Sequence, residues 1–143
     1  MYQILKTSHS HAAWLVLVGL VVIIGLFAIN KIAKKQFSAA ELKIALVVLI
    51  LSHIQLLMGL ALYFISPLGF NNLSGATMKD PYARLMAVEH PITNILAIIF
   101  ITIGYSKAKK LLNTDKGYNT VLIYYGLGLI LLLSRVPWQT WLG

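Results

Sequence analysis

The sequence contains no cysteine. That removes disulfides, thiolate metal sites, iron–sulfur clusters and covalent c-type haem attachment in one step. Charge is scarce as well: Asp, Glu, Lys and Arg make up 11% of the 143 residues, where a soluble domain carries roughly a quarter. Acids are the rarest class, with 4 Asp and Glu against 12 Lys and Arg and a formal net charge of +8. In a soluble chain that excess would raise nucleic acid as a partner. Here the basic residues fall mostly in short loops between apolar runs, so membrane orientation explains them and no nucleic-acid partner is expected.

What is present is apolar. Hydrophobic residues make up 59% of the chain and the mean hydropathy is +0.80, a composition suited to a lipid bilayer. No small-residue cleavage site follows the first apolar core, so that run reads as a retained span rather than a signal peptide. Four segments are long enough to cross a hydrocarbon core, which takes about 20 helical residues: 11–30, 42–66, 82–106 and 118–138. Short loops join the first to the second and the third to the fourth, which favours antiparallel neighbours. The expected fold is an all-α integral membrane protein, a four-helix up-down bundle forming one domain over 1–143. The 66–81 loop, rich in Gly, Asn and Ser, leads into Asp80-Pro81, a cap and first turn for the third helix.

Basic residues orient the bundle. Lys31, Lys34, Lys35, Lys43, Lys107, Lys109, Lys110 and Lys116 gather at one end, while Lys6, Lys79, Arg84 and Arg135 lie at the other. By the positive-inside rule the first group is cytoplasmic, so both termini are outside, at the periplasmic face of a bacterial inner membrane. Tyr2, Tyr82, Trp138 and Trp141 fit an aromatic belt on that outer face.

Four histidines lie in or beside these spans. At about 1.5 Å per residue, His90 stands roughly 25 Å from the lysine-rich end and His11 roughly 30 Å, with His9 slightly further and His53 nearer the midplane. Pro91 bends the third helix and blurs those depths. On that helix Ala83, Ala87, His90, Asn94, Ala97, Ile101 and Gly104 recur at steps of three and four, one stripe of mostly small residues. Such a face admits a close partner, either a helix or a flat macrocycle. Gly19 and Gly25 leave room below His11. His9 and His11 are two apart and point to different sides, so one of them is expected to share a ligand with His90.

Two imidazoles facing one another across a bundle are what a six-coordinate b-type haem (heme b) requires. Arg84 and Arg135 lie where its propionates would need cations. Glu89, an acid inside a span and therefore in need of a partner, would pair with Arg135 or orient a ligand. An alternative is a copper or zinc site built from His9, His11 and His90, with Glu89 as a fourth donor. A third reading is a cofactor-free accessory subunit whose histidines bond other helices. His53, beside Ser52 and Gln55, suits such an interhelical bond as well as it suits a metal.

The stretches HSHAAWLVLV, HIQLLMGLALYFISPLGF, VEHPITNILAIIFITIGYSKAKK and LLLSRVPWQTW together resemble one four-helix half of the haem A synthase family. They are also similar to small bacterial membrane proteins labelled cytochrome b. The resemblance implies haem clamped by histidines at the outer starts of the first and third helices, which fall on His9 or His11 and on His90. It implies packing, not ligation, for Gln55 and Gly59. Only one half is present and HSH replaces the family's histidine-arginine pair, so the synthase's oxygen chemistry is not carried over. The expected role is electron transfer, with other membrane subunits of a respiratory complex and quinone as partners. No group is poised for nucleophilic or acid–base chemistry, so an independent enzyme is not expected.

Overall fold

The computed structural model describes residues 1–142. It is all-helical, with no strand among the described residues. Four helices are long and apolar enough to cross a membrane: α1 (Tyr2–Ile32), α2 (Ala39–Ile65), α3 (Pro81–Lys109) and α4 (Lys116–Ser134). Each packs on its neighbour in the chain, and α4 closes the ring on α1. Their outward faces stay apolar: Val22, Leu57, Ile92 and Ile130 are each more than half exposed. Such a surface is expensive in water and at home in lipid.

Local chemistry sets the helix ends. After α1, Lys34 turns left-handed with φ 55° and ends the helix. Ser38 and Glu41 then form a capping box that starts α2, Ser38 accepting from the chain and Glu41 reaching back to the Ser38 N–H at 2.9 Å. Glu41 is almost fully buried and is neutralised by Lys35 at 2.9 Å. That hydrogen bond, and then the Glu41 charge, raise the Lys35 ammonium above its ordinary pKa. The contact therefore persists through neutral pH and, on the alkaline side, is lost as pH rises through that raised value. Asp80 caps α3 by accepting from the Ala83 N–H at 2.6 Å, with Pro81 in the first turn, as the sequence predicts.

Two boundaries differ from expectation by more than three residues. α1 begins at Tyr2, nine residues before the expected span, because nothing in YQILKTSHS breaks a helix. α4 stops at Ser134 rather than 138: Pro137 cannot continue the backbone ladder, and Trp138–Trp141 form a separate helical turn.

The bundle is solid at its lysine-rich end. Phe27, Phe37 and Tyr118 meet edge to face, with ring centres 5.2 to 5.9 Å apart. One layer further in, the buried Tyr125 hydroxyl donates to the Ala45 carbonyl at 2.8 Å. Glycines let α3 and α4 approach closely: a Cβ on Gly104 would strike Tyr124, and one on Gly128 would strike Ile101. Gly126, on the same helix as Gly128, has open space where its Cβ would lie.

Gly104→Ala is expected to lower the thermal unfolding midpoint of the detergent-solubilised protein. Gly126→Ala should leave it unchanged or raise it, since Ala exceeds Gly in helix propensity by about 1 kcal/mol. Equal effects from the two would contradict this packing.

Candidate functional site

The other half of the bundle is hollow. A cavity of about 230 Å³ opens among all four helices at the end that carries His9 and His90. Its walls run from Tyr2 to Leu17 on α1 and from Tyr82 to Ile98 on α3, roughly 22 to 24 Å of helix at 1.5 Å per residue. Tyr2, Tyr82 and Trp141 stand at the mouth. Trp141 stacks on Trp14 with ring centres 4.6 Å apart, so the terminal WQTW turn folds against α1.

His90 owes its position to Pro91. A proline at 91 has no N–H to give the Ala87 carbonyl four residues back, and its ring crowds that oxygen. The helix widens just before it: Leu85–Glu89 is a π-helical turn, and the His90 N–H bonds Leu85 five residues back. The Tyr63 hydroxyl of α2 donates to Ala87 O at 3.0 Å, satisfying an oxygen that the proline leaves bare. The sequence-level expectation of a bend at Pro91 thus takes the form of a π-turn, which often marks functional sites.

The His90 ring lies inside the bundle. Its Nδ1–H donates to the Arg135 carbonyl at 2.7 Å, an oxygen free because α4 has just ended. In the neutral ring that leaves Nε2 unprotonated. The Asn94 amide nitrogen sits 3.2 Å from Nδ1 and 3.0 Å from Nε2. With Nδ1 protonated, Nε2 is the acceptor that this amide reaches, so a ligand to Nε2 takes the place of the Asn94 donor. A backbone carbonyl on the protonated ring nitrogen, with the other nitrogen turned into the cavity, is the arrangement of metal-ligating histidines.

His9 faces His90 across the cavity, with ring centres 6.4 Å apart and planes at 80°. Gln55 holds its backbone, donating to the His9 carbonyl at 2.9 Å, and the same amide nitrogen is 3.4 Å from His9 Nε2. Gly59 clears the ring: a Cβ there would come within 3.1 Å of His9 Cε1. Gln55 and Gly59 therefore serve to seat His9. Three buried side-chain atoms among the described residues lack any hydrogen-bond partner, His9 Nδ1, Gln55 Oε1 and Asn94 Oδ1. All three residues line this one cavity.

The remaining expected residues separate. His11 is exposed and off the cavity wall, and neither Gly19 nor Gly25 shapes the site: Gly19 faces Val48 and Gly25 faces open space. Arg84 and Arg135 lie beside the site but not on its lining, because Glu89 takes both, at 2.8 and 3.2 Å. Lys6 is the cation on the cavity wall. Sequence reading missed it, although Lys6 and His9 are three apart on one helix face. His53 lies outside the cavity, with Nδ1 on Leu49 O at 2.9 Å and Nε2 3.4 Å from the Thr102 hydroxyl. No group of three or more His, Asp or Glu side chains placed to hold a metal ion occurs among the described residues.

Compared with known proteins, the chain matches no family model, no curated protein and no solved structure.

Tyr63→Phe is expected to destabilise the protein by about 1 kcal/mol, since it strips a buried carbonyl of its donor. A lowered thermal midpoint in detergent, with helix content unchanged, is the expected result. An unchanged midpoint would show that Ala87 O needs no help from α2.

Proposed function

We propose that this protein is a b-type cytochrome of the bacterial inner membrane, a bis-histidine haem carrier that passes electrons within a respiratory, quinol-linked assembly. The observation that carries the reading is the His9–His90 pair in a largely apolar cavity. An imidazole nitrogen sits about 2.0 Å from a metal it binds and roughly 1.1 Å from its own ring centre, so two rings on one iron have centres about 6.2 Å apart. The rings here stand at 6.4 Å. The partnerless polar atoms around them are groups that a bound molecule would satisfy or displace.

Haem, when bound, supplies a one-electron carrier whose iron takes four ligands from its own macrocycle. The protein then has to give only two. That favours haem over a bare copper or zinc ion, which needs three or four protein donors where this cavity offers two imidazoles. His9 and His90 are the ligands in this reading. Arg135 fixes the His90 tautomer through its carbonyl, Gln55 anchors the backbone at His9, and Lys6 at the mouth is the cation available to a propionate. Arg84 and Arg135, tied to Glu89, act on the same edge through a shared network. The basic residues of the opposite end orient the site toward the periplasm, with both termini on that side.

His9→Ala and His90→Ala should each abolish haem in protein purified from its native membrane while leaving it inserted and helical. His11→Ala and His53→Ala should retain it. Pyridine haemochrome assay of the four variants reads this directly. Full haem content in His90→Ala, or its loss in His11→Ala, would overturn the ligand assignment.

A further inference from the structure

A second hollow opens near the middle of the bundle, between α2 and α3 on their outward side. Its volume is about 230 Å³, and its lining is apolar except for His53 and Thr102. Ile99 and Ile103 on its rim are 47% and 38% exposed, so it faces the hydrocarbon of the bilayer. Leu56, Ile95 and Ile98 belong to the walls of both this groove and the histidine cavity. A single layer of side chains divides the two.

The two polar groups in the groove are short of hydrogens. His53 Nδ1 lies 2.9 Å from the Leu49 carbonyl. A carbonyl only accepts, so Nδ1 carries the proton and the neutral ring presents Nε2 as a bare acceptor. Thr102 has one hydroxyl hydrogen for two acceptors, the Ile98 carbonyl at 2.7 Å and His53 Nε2 at 3.4 Å. Given to the nearer carbonyl, that hydrogen leaves His53 Nε2 and Thr102 Oγ1 facing each other as acceptors. In lipid no water stands ready to supply a hydrogen.

A molecule that enters from the bilayer and presents an O–H satisfies both acceptors. The groove is open on its lipid side and is lined by side chains of two helices, so a ring-sized head group can lie in it with any long tail left in the lipid. We propose that His53 and Thr102 form a binding site for a lipid-soluble hydroquinone, whose hydroxyl hydrogen is shared between His53 Nε2 and Thr102 Oγ1. Choosing a hydroquinone among hydroxyl-bearing lipids rests on the haem reading, since the groove shares a wall with the proposed haem cavity. The hydrogen count itself does not depend on haem.

The test uses the full-length protein in lipid nanodiscs under argon with dithionite, so that neither haem nor ligand changes redox state. Duroquinol and its dimethyl ether, which has the same ring but no hydroxyl hydrogen, are titrated by calorimetry. Duroquinol is expected to bind about tenfold more tightly, the scale of one or two recovered hydrogen bonds. Thr102→Val and His53→Leu should each bring duroquinol down to the level of the ether. Thr102→Val keeps the groove's shape and decides the matter if His53→Leu does not fold. Equal binding of the two ligands, or selectivity that survives both substitutions, overturns the proposal. A haem count on the same preparation separates the two readings: selective binding by haem-free protein upholds the groove while removing the cytochrome, and haem-replete protein without selectivity does the reverse.

Discussion

In hydrocarbon no backbone carbonyl can be left without a hydrogen, and Pro91 takes one away from Ala87. The arrangement of the histidine end follows from how that oxygen is satisfied. The helix opens into a π-turn over Leu85–Glu89, and Tyr63 reaches across from α2 to donate to Ala87. The wider turn changes the rotation of everything beyond it on α3 and brings His90 to the Arg135 carbonyl. That carbonyl is free only because α4 ends at Ser134. A backbone defect in one helix and a helix end in another thus fix a single imidazole from two sides.

The two halves of the bundle solve opposite problems. At the lysine-rich end every polar group near the core has an assigned partner: Glu41 with Ser38 and Lys35, and Tyr125 with Ala45. At the histidine end, His9, Gln55 and Asn94 each keep a buried atom unpaired around an open volume. An unsatisfied buried polar atom costs about 1 to 3 kcal/mol. Three in one cavity amount to several kcal/mol against folding, while aliphatic side chains at those positions would have cost nothing of the kind. Concentrating that cost around a pair of facing imidazoles makes sense if the cavity is meant to be filled.

Much of this was legible beforehand. Four spans, the Asp80-Pro81 cap and the inward stripe through His90, Asn94, Ala97, Ile101 and Gly104 follow from hydropathy and helical period alone. Choosing His9 over His11 was also within reach. Tyr2, Lys6, His9, Ala13, Val16, Leu20, Ile23 and Phe27 recur at steps of four and three, and His11 is off that line. A first span that starts at residue 11 leaves out Tyr2, Lys6 and His9, the part of the stripe that separates His9 from His11. Other contacts carry no local signal. Nothing near Tyr63 indicates Ala87, which is 24 residues away in the chain, and the hydrogens missing between His53 and Thr102 emerge only when two helices are side by side. Glu89 was expected to need a partner; that it would take both arginines and draw them off the cavity depends on the π-turn.

The central claim is that the cavity between His9 and His90 holds haem, and its most direct test is optical. Protein purified in mild detergent from its native membrane should give a reduced-minus-oxidised spectrum with the sharp α-band of a low-spin b-type haem. A pyridine haemochrome count near one haem per chain should accompany it. A silent spectrum from well-folded protein prepared in this way would contradict the account, and the facing imidazoles would then be bonds between helices and nothing more.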